Sequence, residues 1–242
     1  MAAPQKIRAY IKKIKKYEDD VTLFELCPEK KCKFRPGQFL HLAMDKYDPS
    51  DNWPESRVFS IANSPLQKEY IEILVSPKGI FTKKMVTQLK ENDDVWLKLP
   101  YGSFNFTDVI NSDCILIAGG TGISPFISFL NYAVDTELNY NSVKLYYGVR
   151  SRGLIIYEEL LEKCLKFLKN FDFKIYIENF NYDNSDRISN GILPVSKIID
   201  TAEKLKNPVY YLSGPQKMIM AFESECRSRD INKNKILYDK WE

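Results

Sequence analysis

The chain has 242 residues, 44% hydrophobic and 28% charged, enough for one large domain or two ordinary ones with a real core. Its 35 basic and 32 acidic residues leave a net charge of +3, too even to argue for nucleic acid or a membrane surface as ligand. No apolar run reaches the length of a membrane span, and the first twenty residues lack the apolar core of a secretory signal. The five cysteines are scattered and odd in number, which fits reduced thiols and a cytoplasmic location. His41 is the only histidine, so no histidine-based metal site is expected.

Taken in order, residues 7–26 alternate as a strand pair around a polar turn at 17–20. Lys12, Lys13, Lys15 and Lys16 form a basic run, either a solvated strand end or a docking patch for an acidic electron-transfer partner. Pro36-Gly37 signals a turn before a strand containing Phe39, Leu40 and Leu42. His41 reads as a partly buried residue of that strand rather than a catalyst. The stretch RVFSIAN at 57–63 is a further strand, placing Arg57, Phe59 and Ile61 on one face and Val58 and Ser60 on the other. A guanidinium and a ring on one face can hold a phosphate and a flat ring system together, or belong to an ordinary amphipathic strand. Residues 70–76 form another strand. Residues 77–82 then lead into a short helix from Lys83 to Leu89, with Thr82 able to cap it or donate to an anion. A strand at 93–99 and a turn at 100–104 follow. Several short strands, frequent turns and one short helix predict a small antiparallel barrel.

The rhythm changes at Cys114. The run CILIAGGTGISPFISFL reads as a buried strand, a glycine turn at Gly119, Gly120 and Gly122, and a helix opening near Pro125. Such a loop either approaches a phosphate closely or is simply a tight strand–helix turn. It is neither G-x-G-x-x-G nor a P-loop. Strands at 115–118, 143–148, 173–177, 209–212 and 235–238 alternate with helices at 125–134, 157–168, 194–202 and 216–228, with an irregular stretch at 179–190. That alternation predicts a doubly wound parallel sheet with its ligand beyond the carboxyl ends of the strands. The loops 119–122, 148–150 and 213–215 all follow strands at that edge. The domain boundary is expected near residues 106–112, giving domains at 1–108 and 109–242.

In this order, PGQF (36–39), RVFSIAN (57–63), GIFT (79–82), YGSF (101–104), AGGTGISP (118–125), YYGVRS (146–151) and YYLSGPQKMI (210–219) make the chain resemble the ferredoxin–NADP reductase superfamily of flavoprotein reductases over nearly its whole length. The resemblance implies an N-terminal flavin-binding β-barrel and a C-terminal nicotinamide-binding α/β domain. It implies FAD, in preference to FMN, as the bound flavin. Arg57 would meet the flavin diphosphate, Phe59 would pack on the ring where the family often has Tyr, and Ser60 would sit at the nitrogen that accepts hydride. Gly79, Ile80, Phe81 and Thr82 would serve the flavin diphosphate, and Ile73 and Val75 the ring edge. Gly120, Thr121 and Gly122 would cradle the nicotinamide nucleotide's pyrophosphate, and Ser213, Gly214 and Pro215 would border the nicotinamide. Ser60 and Ser213 are thereby the implied catalytic positions.

Three departures stand out. Ser213 replaces the cysteine usual before Gly-Pro. Plant-type members end in an aromatic that covers the flavin, whereas the last residues here are Asp239-Lys240-Trp241-Glu242, with Trp241 either stacking on the ring or packing on the surface. The four-cysteine spacing of a two-iron cluster is absent, so electrons are expected to leave to a separate acceptor: ferredoxin, flavodoxin, a cytochrome, an oxygenase component or a quinone. Arg150 and Arg152 favour a 2′-phosphate, whereas Glu178 favours a free ribose hydroxyl, and the balance leans to NADH over NADPH. The competing readings are a reductase of free flavin and a non-enzymatic subunit that senses a flavin or nucleotide.

Overall fold

The computed structural model describes residues 3–18, 21–106, 111–138, 140–179 and 186–239. The expected boundary at 108/109 and Trp241 lie outside these residues, as do Asp19 and Asp20 of the first turn and residues 180–185 of the irregular stretch.

The N-terminal half is a six-stranded antiparallel sheet built from β1 (Gln5–Tyr17), β2 (Val21–Pro28), β3 (Phe39–Ala43), β4 (Ser56–Ser60), β5 (Ile71–Val75) and β6 (Asp94–Tyr101), in the order β4-β3-β6-β1-β2-β5. Period-two alternation puts Ile7, Ala9 and Ile11 of β1 inside with Leu40 and Leu42 of β3 and Leu97 of β6. The Ala62 N–H donates to the Glu72 carbonyl at 2.9 Å, so the chain leaving β4 meets β5 and the sheet curls closed. Helix α1 (Ile80–Gln88) adds Phe81 and Met85 to the same core. It begins three residues before the predicted start. Thr82 explains the shift: its hydroxyl accepts from Gly79 N at 3.0 Å and donates to Gly79 O at 3.1 Å, closing the first turn around Gly79.

The C-terminal half is a six-stranded parallel sheet, β10-β9-β8-β7-β11-β12. Its strands are β7 (Asp113–Gly119), β8 (Ser142–Val149), β9 (Phe171–Ile177), β10 (Ile188–Asn190), β11 (Pro208–Ser213) and β12 (Ile236–Asp239). All seven residues of β7 are buried, as a central strand covered on both faces must be. Helices α2 (Ser124–Asp135) and α3 (Glu158–Phe167) pack on one face, and α4 (Val195–Glu203) and α5 (Gln216–Ser228) on the other. β10 falls within the stretch read from sequence as irregular. At the amino end of the sheet, Asp113 accepts from Asn141 Nδ2 and Ser142 Oγ, both at 2.7 Å, and from Asn207 N at 3.1 Å, tying β7 to the starts of β8 and β11.

The two halves share apolar packing. Val21, Leu23 and Leu74, facing out of the barrel, join the cluster around α2 and α3. Among the described residues no helix is long and apolar enough to cross a membrane, and no group of three His, Cys, Asp or Glu side chains is arranged to hold a metal ion.

The parallel sheet depends on one close approach. A Cβ on Gly122 would lie 2.3 Å from the Ser213 carbonyl oxygen and 2.6 Å from Gly214 Cα, so only glycine lets the loop after β7 press against the end of β11. Gly122→Ala should therefore lower the free energy of unfolding by about 1–3 kcal/mol, the usual cost of forcing extra volume into a packed interior. Equilibrium urea unfolding reads this directly.

Candidate functional site

The carboxyl ends of β7, β8 and β11 open on a cleft of about 1370 Å³. The three loops predicted to converge do so here, at Gly119–Gly122, Gly148–Arg150 and Gly214–Pro215. A cleft this size is ample for a dinucleotide. The glycines divide into two kinds. Gly122 is buried against β11. Gly120 has φ +53° and nothing within 4 Å of its Cβ position, leaving its backbone bare at the cleft edge beside half-exposed Thr121. A bare backbone turn of this kind suits an oxyanion of a pyrophosphate.

Arg150 and Glu178 are both exposed and both line the cleft at the ends of neighbouring strands β8 and β9. Arg152 does not join them. Its guanidinium makes two 2.8 Å hydrogen bonds to the two oxygens of Glu158, so this candidate partner for a 2′-phosphate is engaged elsewhere.

On the barrel side, the Arg57 guanidinium lies 5.1 Å from the centroid of the Phe81 ring. It also donates to Glu55 at 2.8 Å, an exposed pair that solvent screens. Arg57 and the start of α1, predicted separately as diphosphate contacts, thus stand together. The first N–H groups of a helix have no partners within it. Gly79 and Ile80 are exposed there, while Phe81 is buried beneath. The residues present fit a diphosphate. The side chains of Ile73 and Val75 are fully buried in the barrel core. A ligand beside β5 would meet the backbone of these two residues. Phe59 is also largely buried, at 8% exposure, at the end of the same core.

Ser60 and Ser213 are brought together by a residue that sequence reasoning missed. Asp239, at the end of β12, accepts from Ser60 Oγ at 2.9 Å and from Ser213 Oγ at 3.1 Å, both at Oδ2. All three are buried. Asp239 sits opposite Ser213 in the parallel register of β11 and β12. The available signal was a single acid closing the apolar run of the last strand, at a strand end where the ligand edge was already expected. His41 takes no part in this group. It is half-buried on β3, edge-on to Tyr101 at 4.8 Å between ring centroids, and burial and then Lys98 lower its pKa.

Burial pushes the Asp239 carboxyl up to about 6, while the two hydroxyls pull it down. A carboxyl whose folded pKa lies above its unfolded value stabilises the fold when protonated, and that contribution is lost as pH rises from about 4 through about 6. Above that range the buried charge costs on the order of 2–3 kcal/mol. Asp239→Asn should therefore gain stability relative to wild type between pH 4 and pH 8, by about that amount. Urea unfolding at pH 4, 6 and 8 tests this, and a difference that does not change with pH would show that Asp239 titrates as an ordinary carboxylate.

Residues 116–224 match the oxidoreductase NAD-binding domain family. The chain is 26% identical over 241 residues to the reductase component of propane 2-monooxygenase from Mycolicibacterium smegmatis, an alignment covering 97% of this chain and 67% of that protein. It therefore spans about two thirds of that relative's length. Among solved structures, it superposes on the Amycolatopsis cytochrome P450 reductase GcoB with a TM-score of 0.81, at 20% identity, over 98% of this chain and 70% of that one. It superposes on a ferredoxin NADP+ reductase from Neisseria gonorrhoeae with a TM-score of 0.77, at 15% identity, over 99% of both chains. Barrel and parallel sheet recur together in both, so the chain has the two-domain fold of these reductases, and its parallel-sheet half carries the match to the oxidoreductase NAD-binding domain.

Proposed function

We propose that the chain is an NAD(P)H-dependent flavoprotein reductase that passes electrons to a separate acceptor protein, with residues 1–108 as the flavin-binding domain and 109–242 as the nicotinamide-binding domain. One observation carries this reading: the loop entering α1 and the glycine loop after β7 border the same cleft, so two phosphate-bearing cofactors would meet between the two halves. The Neisseria gonorrhoeae reductase has FAD and NADP bound, which supports FAD as the flavin here. The propane 2-monooxygenase relative is a reductase component, which supports an oxygenase component as acceptor.

A bound flavin would supply the capacity to accept two electrons from a reduced nicotinamide and release them singly. The chain's own residues would bind and orient. Arg57 and the N–H groups at Ile80, Phe81 and Thr82 would neutralise the flavin diphosphate. Gly120 and Thr121 would hold the nucleotide pyrophosphate, with Gly214 and Pro215 setting the opposite wall. Phe59 would offer its ring at the end of β4. Asp239 can hold a proton near neutral pH, and the Ser60 and Ser213 hydroxyls, each donor and acceptor, can pass it to an atom placed beside them.

NADH is the favoured donor. Glu178 would accept from a free ribose 2′-hydroxyl and repel a 2′-phosphate, and Arg152 is held by Glu158. The absorbance spectrum under anaerobic NADH and then NADPH tests both claims. Flavin bands should bleach faster with NADH, and Glu178→Gln should narrow the difference. A colourless protein that takes up no FAD, or one bleached by NADPH alone, would overturn the reading or the preference respectively.

The exposed Lys12, Lys13, Lys15 and Lys16 are proposed as a contact for an acidic acceptor. Lys13 already faces Glu25 at 3.6 Å, and Lys12 and Lys15 lie over tyrosine rings. Turnover with an acidic carrier should fall as ionic strength rises, and a salt-insensitive rate would count against docking there.

A further inference from the structure

Two carboxylates of the barrel reach across to the parallel-sheet half and grip one loop. Glu18, at the end of β1, accepts from Ser151 Oγ at 2.7 Å through Oε2. A Cβ on Gly153 would lie 2.2 Å from the other oxygen of the same carboxylate, so a side chain there would make Glu18 shift its carboxylate. Glu72, on β5, accepts from the Tyr157 hydroxyl at 3.1 Å. Tyr157 has φ +66°, a left-handed backbone that a tyrosine adopts only when its surroundings hold it there. Between these two contacts Leu154, Ile155 and Ile156 are buried in the cluster that contains Val21, Leu23 and Leu74 of the barrel.

This loop is part of the cleft. Arg150, Leu154 and Ile156 line it together with Val21. Its near end is fixed from within its own sheet: Glu178 N donates to Val149 O at 3.0 Å and Asn179 N to Arg150 O at 2.9 Å. Its far end is held from both sides: Tyr147 Oη donates to Leu154 O at 3.3 Å and Leu161 N to Tyr157 O at 3.1 Å within the sheet half, and Tyr157 donates to Glu72 of the barrel. The wall that carries Arg150 is therefore tied to both halves.

We propose that Glu18 and Glu72 are positioning residues for nucleotide binding: they hold the 150–157 loop so that the cleft takes its binding shape only while barrel and parallel sheet are docked. The proposal rests on the cleft being the nicotinamide nucleotide site. Glu72 is suited to the task. Burial, and then its cross-strand neighbour Glu25, raise its pKa, while the Tyr157 hydroxyl and Lys13 oppose the rise. The tyrosine hydroxyl is thus the donor that makes a charge tolerable at this junction.

The test measures the Kd for NAD+ by calorimetry and the KM for NADH with ferricyanide as acceptor, in wild type, Tyr157→Phe, Glu72→Ala and Glu72→Gln. Tyr157→Phe and Glu72→Ala should raise Kd and KM by about three- to tenfold, the range of coupling through a packed junction, and leave kcat within about twofold. Glu72→Gln keeps an oxygen that accepts from Tyr157 and should stay near wild type. Unchanged Kd and KM in Tyr157→Phe, a fall in kcat at constant KM, or equal impairment in Glu72→Gln and Glu72→Ala would overturn the proposal. Should Glu72→Ala not fold, Tyr157→Phe removes a single hydroxyl and decides alone. A wild-type protein that binds no nicotinamide nucleotide would overturn the nucleotide reading itself, a result separate from equal affinities in wild type and variants.

Discussion

A carboxylate withdrawn from water between two hydroxyls is the constraint on which the site depends. Asp239 can be buried because Ser60 and Ser213 both donate to it, and an unpartnered charge there would cost several kcal/mol. That requirement locks three strand ends together. β12 must run beside β11 in register, which places Asp239 opposite Ser213. β4 must end against the parallel sheet, which is possible because the chain beyond it is pinned by Ala62 to Glu72 on one side and by Ser128 Oγ to Asn63 O at 2.7 Å on the other. The seam between the halves is thus made of specific donors and acceptors around an apolar middle.

The glycine loop shows how the same economy serves binding. Gly122 is needed for packing, since any side chain there meets the β11 backbone. Gly120 is needed for the opposite reason, because a positive φ turns its backbone toward open space. A loop whose buried glycine fixes its position and whose second glycine borders open space is held in place by its packing, and if it binds a nucleotide as proposed, that fixed position would favour affinity. The same sequence, GGTG, reads as one motif, yet its members answer to different neighbours.

Much of this was legible because period is a local property. Alternation of two along residues 7–26 and 57–63, then the switch to strand–helix alternation after Cys114, identifies both halves and the edge where three loops meet. What escaped depends on partners far away in sequence. Asp239 looks like a surface acid at the end of a strand until Ser60, 179 residues away, is seen to face it. β10 has only three residues, Ile-Ser-Asn, at the sheet edge, too short and polar for a pattern to register. The true start of α1 is set by a reciprocal contact between Thr82 and Gly79, where a glycine cap leaves no side-chain signal. Arg152 carries the same charge as Arg150, and only Glu158, the first residue of the following helix, takes it out of the cleft.

Charge placement along the carboxyl edge follows from the topology more than from the local sequence. Neighbouring parallel strands deliver their last residues to one rim, so Arg150 after β8 and Glu178 after β9 stand side by side although 28 positions separate them. On the proposed reading, opposite charges on adjacent strand ends would read a ribose by difference: the acid would accept from a hydroxyl and reject a phosphate, while the base would do the reverse. Which one dominates depends on how far each is held into the cleft. Glu178 is held by the backbone bond from its own N–H to Val149, within one sheet. Arg150 heads a loop that the barrel contacts at Ser151 and at Tyr157. If the cleft takes the nicotinamide nucleotide as proposed, selectivity and docking of the two halves share these contacts, and a change at the seam would alter what the rim accepts without touching either charged residue.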